Sequence, residues 1–96
     1  MHYVIATYRL RADNLDQAKA AILEYVENVR QTEPDTFTYQ CFQSGVDSTR
    51  FIHLMAFGDE EAELKHTSSS FLQQFSERLF PFCIDGPNYE TLRLVT

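Results

Sequence analysis

Residues 50–75, RFIHLMAFGDEEAELKHTSSSFLQQF, contain a change of period that decides how the chain folds. Up to Phe57 the side chains alternate. Phe51, His53, Met55 and Phe57 share one face and Ile52, Leu54 and Ala56 the other, the two-residue repeat of a β-strand. Both faces are apolar, so this strand is expected to be covered on two sides. Gly58 ends the run. Asp59 then caps a helix, with Glu60 and Glu61 in the first turn, where the helix dipole favours negative charge. That helix carries Ala62, Leu64 and His66 before it meets Thr67-Ser68-Ser69-Ser70. Serine and threonine hydroxyls compete for backbone hydrogen bonds, so the helix is expected to break there. Ser70 with Gln73 restarts it. Phe71, Leu72, Phe75 and Leu79 form the new apolar stripe, and Pro81 and Gly86-Pro87 close the segment.

The same alternation flanks this stretch. In TFTYQCFQS, residues 36–44, Phe37, Tyr39 and Cys41 point one way and Thr36, Thr38, Gln40 and Phe42 the other. The link Gly45-Val46-Asp47-Ser48 is a turn, so residues 36–57 form a hairpin. Upstream, Leu15, Ala18, Ile22, Tyr25, Val26 and Val29 fall in one arc of about 100° on a helical wheel. Asn14 with Gln17 resembles a capping box at the start of that helix, and Pro34 ends it. Residues 2–10, HYVIATYRL, read as a first strand with two apolar faces, and Tyr89–Val95 as a last one.

The order is strand–helix–strand–strand–helix–strand, the α+β, ferredoxin-like βαββαβ arrangement, with a four-stranded antiparallel sheet and a single domain over 1–96. Two helices cover only one face of such a sheet. The first and third strands are apolar on both faces, and burying that area is worth about 25 cal/mol per Å². A second copy packed face to face supplies the missing cover, so a homodimer is expected.

Composition excludes several function classes. The 96 residues carry 8 Lys+Arg against 14 Asp+Glu, a net charge of −6. No basic cluster is present to bind nucleic acid or an anionic membrane surface. No apolar run approaches the ~20 residues of a membrane span. The opening MHYVIATYRLR lacks the pattern of a signal peptide, so a cytoplasmic location is expected. Cys41 and Cys83 are too few for a disulfide framework and their spacing is not that of a metal site. No phosphate-binding or zinc motif occurs. Function is therefore expected to lie in the fold and a pocket, with no metal site.

Residues 50–75 also resemble the antibiotic biosynthesis monooxygenase domain family. Its pattern is a strand ending in an aromatic, an acidic helix start, a histidine about nine residues later, a small hydroxyl residue and a further aromatic. Here these are Phe57, Asp59-Glu60-Glu61, His66, Ser69, and Phe71 or Phe75. The resemblance implies a dimeric α+β barrel and oxygenation of quinols or enolisable aromatics without a cofactor. In that chemistry a base removes a proton and the substrate anion reduces dioxygen in a dry pocket. Met55 stands where members often carry glutamate. With no Trp in the chain, it lacks a mark of the haem-degrading members.

His66 is the candidate base or substrate anchor, since imidazole takes a proton near neutral pH. Otherwise it is a helix-end histidine facing a carbonyl. His53 and Tyr39 are candidate polar groups of the same pocket, Tyr39 as a donor to a developing oxyanion. Phe57, Met55, Phe71 and Phe75 are candidate walls for a small hydrophobic molecule. Cys41 reads as an apolar filler. Two other functions fit the resemblance. One is a non-catalytic dimeric binding or stress-response module whose aromatics merely fill the core. The other is an isomerase of a small phosphorylated signal molecule, for which Arg9, Arg11, Lys65 and Arg93 are the available cations.

Overall fold

The computed structural model describes residues 1–96. In chain order the elements are β1 His2–Leu10, α1 Leu15–Thr32, β2 Thr36–Gln43, β3 Arg50–Phe57, α2 Glu60–Thr67, α3 Ser70–Leu79 and β4 Cys83–Leu92. Short 3-10 turns at Ala12–Asn14 and Phe80–Phe82 precede α1 and β4. The four strands form one antiparallel sheet in the order β2-β3-β1-β4. This is the expected α+β, ferredoxin-like arrangement.

The core lies between the helices and one face of the sheet. Val4, Ala6, Tyr8 and Leu10 of β1 meet Phe51, His53, Met55 and Phe57 of β3 on that face, all buried. Ala18, Ala21, Ile22, Tyr25, Val26 and Val29 of α1 close over them. In β3 the register sets His53 opposite Ala6 on one side and Cys41 on the other. Two small partners leave free volume around the imidazole.

The opposite face has no layer over it within one subunit. Tyr3, Ile5, Ile52, Leu54 and Leu92 are only half-buried there, and Phe42 is exposed. No helix of the molecule is long and apolar enough to cross a membrane.

Several local expectations are corrected. The break between α2 and α3 falls where the serines predict it, but Ser69, not Ser70, caps α3, accepting from the Leu72 amide at 3.1 Å. Asp59 caps α2 as read, accepting from the Ala62 amide. Asn14 does not close a capping box on the backbone; its side chain donates to Gln17 Oε1 at 3.2 Å. Phe37 leaves the Tyr39 face, because a register shift between Thr36 and Thr38 makes it an extra residue in the ladder. It is 61% exposed. Finally, β4 starts at Cys83, six residues before the expected strand. It is an edge strand, and proline is tolerated at an edge because its missing N–H faces no partner. Gly86 passes through with φ 85°, where a Cβ would stand 2.7 Å from the Thr7 carbonyl oxygen. Glycine is required at that position, so Gly-Pro marks an irregularity within β4 and not its boundary.

Candidate functional site

A cavity of about 280 Å³ opens between the sheet and α2–α3. Its walls are mostly apolar, with Met55, Phe57, Leu72, Phe75 and Leu79 prominent, and its polar lining includes Tyr8, Tyr39, His53 and His66, with Thr67 and Ser76 beside them. Glu63 stands at this lining within 3.1 Å of the His2 imidazole. No lysine or arginine lines the cavity.

His53 lies between two phenols. The Tyr8 hydroxyl is 2.7 Å from Nε2 and the Tyr39 hydroxyl 2.9 Å from Nδ1. A neutral imidazole has one N–H and one lone pair, so one tyrosine donates to this ring and the other accepts from it. Burial, with His66 nearby as a second cause, pushes the His53 pKa down to about 4. The ring is therefore neutral at physiological pH. Burial also raises the pKa of both flanking phenols well above the usual tyrosine range.

His66 is equally buried but has different partners. Its Nδ1 is 2.8 Å from Glu33 Oε1 and its Nε2 3.1 Å from the Tyr25 hydroxyl. Thr36 donates its hydroxyl to the same glutamate oxygen at 2.9 Å. A carboxylate only accepts, so the imidazole proton sits on Nδ1, and Tyr25 donates to Nε2. The helix break between α2 and α3 makes this placement available. His66 is in the last turn of α2, free of the stripe that α3 must present to the core.

The two arrangements meet at Tyr25 and Tyr39. Their rings pack edge to face with centroids 5.5 Å apart. Burial raises the pKa of both phenols well above the ordinary value. Tyr25 in turn stacks on Phe75 at 4.2 Å.

Of the residues singled out from the sequence, His66, His53, Tyr39, Phe57, Met55 and Phe75 all line this one cavity. Phe71 does not. It is 37% exposed and faces a second, outer hollow with Glu33, Thr36, Lys65 and Ser69. The next residue, Leu72, takes the inner position, because the helical phase of α3 turns Phe71 outward. Cys41 has its thiol pushed up to about 11 by burial, consistent with a protonated filler. Arg9 and Arg11 pair with Asp47 and Asp13, and Lys65 approaches Glu61.

Three members of the polar network escape a reading of the sequence: Tyr8, Tyr25 and Glu33. A signal existed for the tyrosines. Both stand at buried positions of an apolar face where Phe would pack as well, and a buried phenol needs a partner for its hydroxyl. Glu33 had none, since its partner His66 is 33 residues away.

Comparison with known proteins bears on the fold and the family. No curated protein matches the sequence. Among solved structures, a crystal structure named as an antibiotic biosynthesis monooxygenase superposes with a TM-score of 0.92 at 20% identity, covering 100% of both chains. A protein from Nitrosomonas europaea named for the same activity gives 0.90 at 18% identity, again over 100% of both. A protein from Pseudomonas aeruginosa gives 0.87 at 18% identity over 99% of this chain and 94% of its own. At such identities these likenesses establish the fold. The family profile for antibiotic biosynthesis monooxygenases matches residues 1–78, the segment that holds β1 through most of α3 and every histidine and tyrosine of the network. The chain belongs to the antibiotic biosynthesis monooxygenase family.

Proposed function

We propose that this protein is a cofactor-independent monooxygenase acting on a small, neutral, hydrophobic compound with an enolisable carbonyl or a quinol-type hydroxyl. The observation that carries the reading is the cavity itself. Its walls are mostly apolar, and its buried polar groups include phenols and imidazoles joined by hydrogen bonds. Such a site removes a proton and stabilises the resulting oxyanion. The substrate anion then passes an electron to dioxygen, and the radical pair combines to a peroxide. Loss of water from the peroxide leaves one oxygen atom in the product as a carbonyl. His66 and the Tyr39–His53 pair manage the proton, and Phe57, Met55 and Phe75 hold the flat substrate.

The other two readings fit less well. A phosphorylated ligand needs a cation, and none lines the cavity. A purely structural module would fill the space with its own side chains, whereas about 280 Å³ stays open, close to the lower end of small-molecule sites.

The functional unit of this proposal is a homodimer. Tyr3, Ile5, Ile52, Leu54 and Leu92 offer a half-buried apolar surface on the sheet face away from the helices. A second copy covers it at about 25 cal/mol per Å². Light scattering at micromolar concentration checks this: a monodisperse species of twice the chain mass is expected, and a monomer refutes it.

Oxygen uptake with a panel of quinols and anthrones tests the chemistry. Wild type is expected to consume oxygen above buffer with at least one compound, and His66→Ala to lose on the order of 10²-fold or more of that rate. No uptake above buffer with any compound rejects the oxygenase reading.

A further inference from the structure

We propose that Glu33 is the positioning residue and proton acceptor of this cavity: it sets His66 in the Nδ1–H form and takes up the proton a substrate gives away. The inference rests on the cavity's being a site of deprotonation, as proposed above.

The first support is that neither histidine offers a free lone pair. All four ring nitrogens are engaged, His53 by Tyr8 and Tyr39, His66 by Tyr25 and Glu33. A substrate proton therefore enters by displacing one of these partners, and at His66 Nε2 that partner is the neutral Tyr25 hydroxyl.

The donors and acceptors also order themselves. Glu33 accepts from His66 Nδ1, so Nε2 accepts from Tyr25, whose oxygen is left to accept. The run Tyr25, His66, Glu33 thus points in one direction and ends on a carboxylate.

Glu33 is also unfinished as an acceptor and open to the outside. Oε1 takes two hydrogen bonds, but Oε2 is buried with no protein partner. A buried carboxylate oxygen without a donor calls for an explanation, and a site that gains a proton during turnover supplies one. The side chain is 14% exposed and lines the outer hollow, about 400 Å³, together with Thr36, Lys65 and Ser69. A proton reaching Glu33 is therefore held on the far side of His66 from the cavity.

The transfer balances as follows. The substrate O–H bond breaks and its electron pair stays on the substrate oxygen. The proton bonds to Nε2 of His66, which lines the cavity, and the Nδ1 proton moves to Glu33 Oε1. When the peroxide forms, Nε2–H protonates it and Glu33 returns its proton to Nδ1, which restores the starting state before water is lost. With no cation at the cavity to meet the new oxyanion, moving the positive charge out neutralises Glu33 and leaves one negative charge, on the substrate.

Two variants separate positioning from proton uptake. Glu33→Gln keeps an acceptor oxygen but cannot take the proton, and Glu33→Ala removes both. In ¹⁵N-labelled protein without substrate, His66 of wild type is expected as a single Nδ1–H tautomer with a low-field Nδ1 proton. That proton moves upfield in E33Q, and the tautomer preference is lost in E33A. If E33A does not fold, the near-isosteric E33Q resonance decides. With the substrate found above, E33Q is expected to lose about 10²-fold in kcat. E33A is expected to recover rate with added formate, which no merely structural role would produce. An unmoved Nδ1 resonance in E33Q, or E33Q turnover at the wild-type rate, overturns the proposal. If wild type turns over nothing, the oxygenase reading fails on that result alone, and the NMR arm still decides whether Glu33 holds His66.

Discussion

His53 and His66 are 2% and 3% exposed, lie in one cavity and each bridge two hydrogen bonds, yet their partners differ in kind. His53 is held by two phenols, neither of which carries charge. His66 is held by one phenol and one carboxylate. A buried ring surrounded by neutral groups can only lose by becoming charged, which is why His53 is pushed to about 4. A ring beside a carboxylate has somewhere to send a proton. Equal burial therefore does not mean equal chemistry, and the partner at hydrogen-bond distance decides the role.

Removing each ring should break the comparison most sharply. His66→Leu strands the Glu33 carboxylate, leaving Oε1 only the Thr36 hydroxyl, and is expected to cost about 3 kcal/mol in urea unfolding at pH 7.5. His53→Leu strands two phenols but no charge, so it should cost less. Equal losses, or the reverse order, would erase the distinction.

Acid should single out His53. Its pKa is near 6.5 in the unfolded chain and about 4 in the fold. Between those values the unfolded state binds a proton that the native state refuses, so stability present above pH 6.5 is lost as pH falls toward 4. From pH 7 to 4.5 the expected loss is roughly 2–3 kcal/mol from this group. In His53→Asn that component of the pH dependence should vanish, and urea midpoints at the two pH values measure it. A loss of the same size in the variant would assign it elsewhere.

The phenols give the smaller effects. Tyr39→Phe leaves His53 Nδ1 without a partner and is expected to cost about 1–3 kcal/mol. Tyr25→Phe leaves His66 still bonded to Glu33 and should fall near the low end, about 1 kcal/mol. Thermal unfolding of both variants checks the order. If Tyr25→Phe is the more costly, the carboxylate is not the principal support of His66.

How much of this was legible beforehand follows from range. The helix break was readable because four adjacent hydroxyl residues disfavour a helix interior locally. The inward face of β3 was readable because alternation is local too. The span of β4 was misread because Gly-Pro behaves as a terminator in a central strand but not at an edge, and edge position is a property of the sheet. Phe37 left its expected face through a bulge that the alternation does not contain.

The site divides in the same way. From the sequence alone came the βαββαβ order, the family resemblance, and His66, His53, Tyr39 and Phe57 as residues of interest. The order rests on periodicity and capping, which act over a few residues, and the residues of interest rest also on the resemblance of residues 50–75 to the family. Only the tertiary structure decided that Tyr8 and Tyr39 hold one imidazole, that Tyr25 and Glu33 hold the other, and that Phe71 faces away. Hydrogen bonds between residues 14 to 45 positions apart depend on the register of β1 and β2 against β3 and on how α1 lies across the sheet. No local pattern encodes those distances.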